Sequence, residues 1–163
     1  MQIHDRAGKI KLLLMDCDGV LTDGRLYFSE EGEELKVFHV RDGLGLVRWH
    51  EAGFKSGIVS GRSSTIVEIR ARELGIEFVR QASRDKFAAV VEIMEFSGVS
   101  ADEVAFVGDD LPDIPAMHHI CLGIAVADAV DEVRSAAQYV THAKGGEGAI
   151  REVIDLLLDA KKD

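Results

Sequence analysis

The sequence is poor in the features that tie a chain together from outside a packed core or carry it into a membrane. It has two cysteines in 163 residues. Two thiols cannot staple a fold of this size, and Cys17 and Cys121, both placed in predicted strands, read as small core residues in a reducing compartment. No apolar run approaches the ~20 residues needed to span a bilayer, and Met1 to Gly8 lacks the apolar stretch of a secretion signal. A cytoplasmic protein with no membrane partner is therefore expected. Basic charge is also scarce: 19 Lys and Arg stand against 29 Asp and Glu, a formal net charge of -10. A surface of that sign repels a phosphate backbone, so nucleic acid is not an expected partner. Internal repeats, low-complexity tracts and linkers are absent as well. What is present is 47% apolar composition, enough for a single domain over residues 1–163 with a real core.

The apolar run from Ile10 to Met15, followed by Asp16-Cys17-Asp18-Gly19-Val20, predicts a buried strand that ends in a turn carrying two carboxylates. Residues 25–40 place two β-prone arms around the tip Glu30-Glu31-Gly32-Glu33-Glu34, which predicts a protruding hairpin. A two-stranded ribbon is marginal alone in water, so this one is expected to lean on another surface, such as a second subunit. A helix follows from Asp42-Gly43 to about Ala52, then a strand from Phe54 to Val59. The next helix, Thr65 to Leu74, would turn Ile66, Ile69 and Leu74 inward, and Ile76 to Val79 forms a third strand. The helix from Asp85 to Ser97 shows Phe87, Val90, Val91 and Met94 as a buried stripe. Strands at Val104–Val107, Cys121–Val126 and Tyr139–Thr141 complete the pattern, with a last helix burying Ile150, Val153, Ile154 and Leu157. Strands alternating with helices in this way imply an α/β fold, a doubly wound parallel sheet with helices on both faces.

In such a sheet the ligand sits beyond the carboxyl ends of the strands, where the winding reverses. Four polar signals fall at those ends: Asp16 with Asp18, Ser60 with Gly61, the loop leading to Lys86, and Asp109-Asp110 with Asp113. Residues two apart on an extended chain point the same way, so Asp16 and Asp18 can face one small volume. Like charges that close persist when a cation lies between them or one keeps a proton. A hard, oxygen-seeking Mg2+ would suit them, with Asp16 and Asp109 as its expected carboxylate ligands. Ser60 could donate to a phosphate oxygen, and Gly61 would let a backbone amide approach it at a helix N-terminus. Lys86 would offset the charge on the phosphate and on Asp16. Each piece alone has a plainer explanation: an Asp-rich turn, a helix cap at Ser60-Gly61, a solvated lysine, and Asp110 and Asp113 capping the turn at Pro112. Their agreement in position favours a site. His118-His119 invites a metal, but adjacent side chains diverge on a helix or strand, so a surface pair is expected.

These residues also carry a resemblance. Asp16-x-Asp18-Gly19-Val20, Ser60, Lys86 and Gly108-Asp109-Asp110-x-x-Asp113 resemble, in order, the four motifs of the haloacid dehalogenase superfamily. Within it the chain is similar over nearly its whole length to the 3-deoxy-D-manno-octulosonate (Kdo) 8-phosphate phosphatase family. Asp16-Cys17-Asp18-Gly19-Val20-Leu21-Thr22-Asp23-Gly24, Gly32-Glu33-Glu34-Leu35-Lys36, Val40-Arg41-Asp42-Gly43 and Gly145-Gly146-x-Gly148-Ala149 carry that likeness. The resemblance implies a phosphatase of lipopolysaccharide precursor synthesis, with Asp16 as nucleophile, Asp18 as general acid and base, and Lys86 completing the catalytic group. It further implies Mg2+ held by Asp16, the Asp18 carbonyl and Asp109, supported from behind by Asp110 and Asp113. Arg62 and Arg70 would take the carboxylate of the sugar acid. The gaps between motifs are too short for a cap domain, and the family's substitute is a homotetramer in which the hairpin helps wall a neighbour's site. One departure stands out: the loop before Lys86 reads Gln81-Ala82-Ser83-Arg84-Asp85, where relatives often have glycine after the glutamine.

Two alternatives accompany this reading. The same chemistry could act on a nine-carbon sugar acid 9-phosphate of the sialic acid or Kdn type, although such enzymes tend to have glutamate where Arg62 stands. A receiver-like signalling domain also gathers acids, a hydroxyl and a lysine around Mg2+. Receivers usually place adjacent acids after the first strand, whereas here the adjacent acids come fourth.

Overall fold

The computed structural model describes residues 2–162. Helix α1 (Ile3–Lys9) precedes strand β1 (Leu12–Met15), which is buried along its whole length. The chain then forms a small hairpin, β2 (Tyr27–Phe28) and β3 (Glu34–Leu35), with Tyr27 opposite Leu35 in antiparallel register. Alternating elements follow: α2 (Val40–Glu51), β4 (Lys55–Val59), α3 (Thr65–Leu74), β5 (Phe78–Arg80) and α4 (Lys86–Ser97). The remainder is β6 (Val104–Gly108), α5 (Ile114–Met117), β7 (Leu122–Ala125), α6 (Asp131–Ala136), β8 (Tyr139–Val140) and α7 (Ala149–Asp159).

The six-stranded sheet runs β5-β4-β1-β6-β7-β8, and every neighbouring pair is parallel. The chain winds outward from β1 through β4 to β5, then returns beside β1 as β6 and winds the other way. The reversal therefore lies between β1 and β6, where a crevice opens beyond the strand ends. Met15 pairs in register with Val107, so Asp16 and the Gly108-Asp109 step leave the sheet at the same level. Helices α1, α2 and α7 pack together on one side, while α4, α5 and α6 form a second group. This is the doubly wound α/β sheet that the alternation implies, with the hairpin and no cap domain among the described residues.

Local register departs from the hydropathy pattern in several places. Helix α7 buries Ile150, Val153, Ile154 and Leu157, the expected stripe. Helix α4 instead buries Lys86, Ala89, Val90 and Ile93, while Phe87, Val91 and Met94 are half-buried. The stripe expected from the largest apolar residues is rotated because Lys86 points into the carboxylate cluster, and small Ala89 then lies on the inner face. In α3 the buried residues are Val67 and Ala71, and Ile69 is 61% exposed. Helix α2 begins at Val40, with the His39 side chain accepting from Arg41 N at 3.1 Å, so the hairpin arm ends earlier than its β-prone composition implies. Cys17 and Cys121 are buried free thiols lying just outside β1 and β7 rather than within strands. Helices α1, α5 and α6 leave no helical periodicity in the sequence, since 7, 4 and 6 residues are too short to show it. No helix among the described residues is long and apolar enough to cross a membrane.

Candidate active site

The site begins where β1 ends. Asp16 N donates to Val107 O at 3.0 Å, which carries the sheet ladder one residue beyond β1. The Asp16 Oδ1 atom then accepts from Cys17 N at 2.7 Å, and the amides of Val20, Leu21 and Thr22 turn back to Cys17 O. Gly19 has φ +87, and a Cβ there would overlap the Asp109 carboxylate. Glycine is thus required both by the left-handed backbone and by the close approach of a second acid. The far end of the chain braces this turn. Gly146 N donates to Val20 O at 2.9 Å, and Gly145 packs so tightly on the Gly19 carbonyl that no side chain would fit.

Lys86, the first residue of α4, joins two carboxylates. Its Nζ lies 2.7 Å from Asp16 Oδ2 and 2.7 Å from Asp113 Oδ1. Asp113 is fully buried, and its Oδ2 accepts from Asp109 N at 2.9 Å and Asp110 N at 3.2 Å. Asp113 thus fixes both Lys86 and the backbone that carries Asp109. Burial pushes the Asp16 carboxyl up to about 6, reinforced by the charge of Asp113 against the pull of Lys86. Burial, then the charges of Asp16 and Asp113, push Asp109 further, to about 8. Burial works against the Lys86 ammonium, yet Asp16 and Asp113 hold it above its ordinary value.

This arrangement fits a metal ion. Asp16, Asp109 and Asp113 each offer a carboxylate oxygen, and these atoms lie within 4.8 Å of one another. Asp109 Oδ1 is buried with no hydrogen-bond partner among the described residues, an orphaned acceptor whose cost a bound cation would remove. An all-oxygen, anionic donor set suits a hard divalent cation.

Ser60 follows β4 and is buried, its Oγ accepting from Arg62 N at 3.3 Å. Helix α3 starts only at Thr65, with Ser64 as its cap. Ser60 and Gly61 therefore lie in the loop ahead of that helix rather than at its N-terminus, which corrects the placement of Gly61 at a helix start. An ion-pair chain links the hairpin to this loop: Asp18 Oδ1 to Lys36 Nζ at 2.6 Å, Lys36 to Glu34 Oε1 at 3.1 Å, and Glu34 Oε1 to Arg62 Nη1 at 2.9 Å. Burial opposes it, but hydrogen bonds to Asp18 and Glu34 hold Lys36 above its ordinary pKa.

A cleft of about 360 Å³ brings together Asp16, Asp18, Ser60, Gly61, Arg62 and Lys86. Asp109 and Asp110 line its other wall, and the Asp110 Oδ1 atom accepts from Leu111 N at 2.8 Å. Asp113 supports the cleft from beneath. Arg70 does not join it: its guanidinium pairs with Glu73 at 3.0 Å and lies over the Phe38 ring, 5.7 Å from the centroid. The structure adds Ser83, Arg84 and Pro112 to the lining, and Glu34 and Lys36 as partners of site residues. The signal for the last two was period-2 alternation, which puts Glu34 and Lys36 on one face of the hairpin arm. His118 and His119 are exposed, and the His119 ring lies against Phe87 at 4.2 Å.

Comparison with known proteins supplies the family. Residues 64–154 match the family model of haloacid dehalogenase-like hydrolases. The 3-deoxy-D-manno-octulosonate 8-phosphate phosphatase of Salmonella typhi is 44% identical over 159 residues, covering 98% of this chain and 85% of the relative. The Moraxella catarrhalis enzyme of that name, solved in complex with magnesium ion, phosphate ion and a Kdo molecule, is 41% identical. It superposes with a TM-score of 0.96 over 98% of this chain and 92% of its own. A cobalt-bound form of the Haemophilus influenzae phosphatase is 39% identical, with a TM-score of 0.93 over 96% of this chain and 92% of its own. The relatives are phosphatases, which sets the receiver alternative aside. A phosphoric monoester hydrolase, this chain belongs to the haloacid dehalogenase superfamily and, within it, to the Kdo 8-phosphate phosphatase family.

Proposed function

We propose that the chain is a magnesium-dependent, cytoplasmic phosphatase that hydrolyses 3-deoxy-D-manno-octulosonate 8-phosphate through an aspartyl-phosphate, in lipopolysaccharide precursor synthesis. The observation that carries this is the buried cluster of Asp16, Lys86 and Asp113 beside the orphaned oxygen of Asp109, at the reversal of the sheet. The names of the relatives supply the substrate. The site residues, the metal and the single capless domain over residues 1–163 belong to the same proposal.

An oxygen of Asp16 attacks phosphorus, and the bond between phosphorus and the sugar oxygen breaks. Asp18 protonates the departing sugar oxygen, giving the free sugar acid. Water then attacks the phosphorus of the aspartyl-phosphate, and Asp18 takes its proton. The acyl–phosphate bond breaks, inorganic phosphate leaves, and the Asp16 carboxylate is restored. Lys86 keeps Asp16 aligned and offsets phosphoryl charge. Ser60 and the Gly61 amide hold phosphate oxygens, and Lys36 orients Asp18 from the hairpin. Asp16, Asp109 and the Asp18 carbonyl would hold Mg2+, which supplies positive charge against the reacting phosphoryl group.

The proposal includes a homotetramer. The hairpin and the start of α2 expose Leu26, Phe28, Leu35, Val37, Val40 and Leu44, an apolar surface that another subunit would cover. Sedimentation of the purified chain tests it, and a monomer at micromolar concentration would remove it.

The activity test compares phosphate release from the eight-carbon 8-phosphate and the nine-carbon 9-phosphates, with Mg2+ and with chelator. Preference for the eight-carbon acid and loss of turnover in chelator are expected; preference for a nine-carbon acid transfers the assignment to that substrate. Asp16→Asn is expected to fold and to lose turnover, because it removes the attacking oxygen. Near-normal turnover in that variant would defeat the covalent mechanism.

A further inference from the structure

Two stretches that carry the family likeness, Val40-Arg41-Asp42-Gly43 and Gly145-Gly146-x-Gly148-Ala149, meet in the structure although neither supplies a reacting group. Helix α7 begins at Ala149 behind Gly148, which has φ +103 and no side chain to cap it. Asp42 supplies the cap from another helix: placed in the first turn of α2, its Oδ1 accepts from Arg151 N at 2.9 Å. Asp42 is 2% exposed, and its Oδ2 has no hydrogen-bond partner among the described residues. Burial raises its pKa, against the pull of the Arg151, Gly148 and Ile150 amides and of His39. Serine and asparagine also cap helices, so an acid buried with one oxygen unpaired is the costly choice. What an acid adds is an acceptor that can carry charge at the positive end of the helix, and so a stiffer hold.

The residues just ahead of that capped turn clamp the catalytic one. Gly146 N donates to Val20 O at 2.9 Å and Gly145 N to Asp128 Oδ1 at 2.9 Å. A Cβ on either glycine would overlap the backbone of residues 19–23. Gly19 in turn lies against the Asp109 carboxylate, and its amide donates to Thr22 Oγ1 at 3.2 Å. The first turns of α7 also hold the far end of this strap, since Glu152 accepts from His142 N and Ala143 N at 2.9 Å each. These contacts are backbone on backbone at the glycines, where no flexible side chain absorbs a displacement. A shift at the start of α7 is therefore passed to the turn that follows Asp16. Every contact in this path lies within one chain.

We propose, on the reading of this cleft as a phosphatase centre, that Asp42 is a positioning residue: by capping α7 from α2 it fixes the Gly145-Gly146 clamp, and through it the turn that sets Asp16 and Asp18 beside Asp109.

The test compares Asp42→Ala and Asp42→Asn with Ile154→Val, which trims a buried residue further along the same helix at a stability cost similar to that of a lost cap. Hydrogen exchange of the full chain in chelator reads the clamp without metal or substrate. The amides of Gly146, Leu21 and Thr22 are expected to exchange about tenfold faster in Asp42→Ala than in Ile154→Val. Phosphate release from 3-deoxy-D-manno-octulosonate 8-phosphate at saturating Mg2+ should show kcat about tenfold lower in Asp42→Ala, with KM within about twofold, because the acids are displaced while the Ser60 loop is not. Asp42→Asn keeps an acceptor at the cap and should lie within about threefold of the unaltered chain in both measurements. Equal exchange at the clamp in Asp42→Ala and Ile154→Val would overturn the proposal. So would faster exchange with kcat unchanged, or a loss carried by KM alone. If Asp42→Ala does not fold, Asp42→Asn decides: about threefold faster exchange and lower kcat than in Ile154→Val are expected, and equality in both overturns the proposal. If the unaltered chain releases no phosphate from this substrate, the substrate reading fails. The exchange comparison, with kcat on the phosphate monoester it does turn over, still decides the role of Asp42.

Discussion

Replacing Lys86 by methionine keeps the length and most of the volume of the side chain while removing its charge, so it isolates the electrostatic work of that residue. The ammonium sits 2.7 Å from one oxygen of each of Asp16 and Asp113, and all three side chains are buried. At an effective dielectric of about 20, each contact of this kind is an attraction of about 6 kcal/mol before the cost of burial is deducted. Breaking a buried ion pair from one side costs about 3–5 kcal/mol, because the partner charge is left uncompensated. For a chain of this length each kcal/mol moves the melting temperature by about 2–4 °C, so a drop of roughly 6–20 °C is expected. The drop should depend on pH. Asp16 and Asp109 titrate near 6 and 8, so protonation relieves the repulsion on the acid side and the deficit is larger at about pH 8 than at about pH 5. Millimolar Mg2+ should recover part of the lost stability at the higher pH. It should not recover turnover, which falls at least 10²-fold without a cation beside the reacting phosphoryl group. Circular dichroism melts in chelator and in Mg2+, with a phosphate-release assay, measure all of this. A variant that melts within about 2 °C of the unaltered chain at the higher pH, or that keeps a third of its turnover, refutes the reasoning.

Three further outcomes follow from named atoms. Gly19→Ala forces a Cβ onto the Asp109 carboxylate and should weaken Mg2+ activation by about 10–100-fold; a metal titration of activity that superposes on that of the unaltered chain would contradict the packing. Ala82→Gly relieves the left-handed alanine and should stabilise the chain by about 0.5–1 kcal/mol after the extra entropy lost by glycine on folding; a lower urea midpoint would show that the loop is not strained. Asp16 and Asp109 have pKa values of about 6 and 8, both raised from 3.8 chiefly by burial. Between about pH 4 and pH 8 the folded chain therefore holds more protons at these groups than the unfolded chain, and stability in chelator should fall as pH rises across that window. Mg2+ competes with those protons, so its apparent affinity should tighten over the same range and flatten the decline. Urea midpoints that rise with pH in chelator would reverse the sign and refute the assignment.

How much of this could be read from residues alone depends on the range of the interaction. The alternation of apolar strands with helices comes from local periodicity, and it determined the doubly wound sheet. Parallel neighbours joined by crossovers also fix where the winding reverses, so Asp16, Ser60, Lys86 and Asp109 could be placed at one end of the sheet before any coordinates. The stripe of α7 was legible because the largest apolar residues of that helix are the ones buried. In α4 they are not, since the charged Lys86 sets the rotation, and hydropathy cannot anticipate a buried cation.

Only the tertiary structure decided the contacts between segments distant in sequence. Asp113 divides its oxygens between Lys86 and two backbone amides. Lys36 comes down from the hairpin onto Asp18, and Gly145-Gly146 braces the turn at Gly19. The fate of the arginines was settled at the same level. A guanidinium at the end of a long, flexible side chain goes wherever a carboxylate or ring is within reach, so sequence could name Arg62 and Arg70 but not tell which of them faces the cleft. Arg62 lines the cleft while paired with Glu34, and Arg70 lies over Phe38 and against Glu73 outside it.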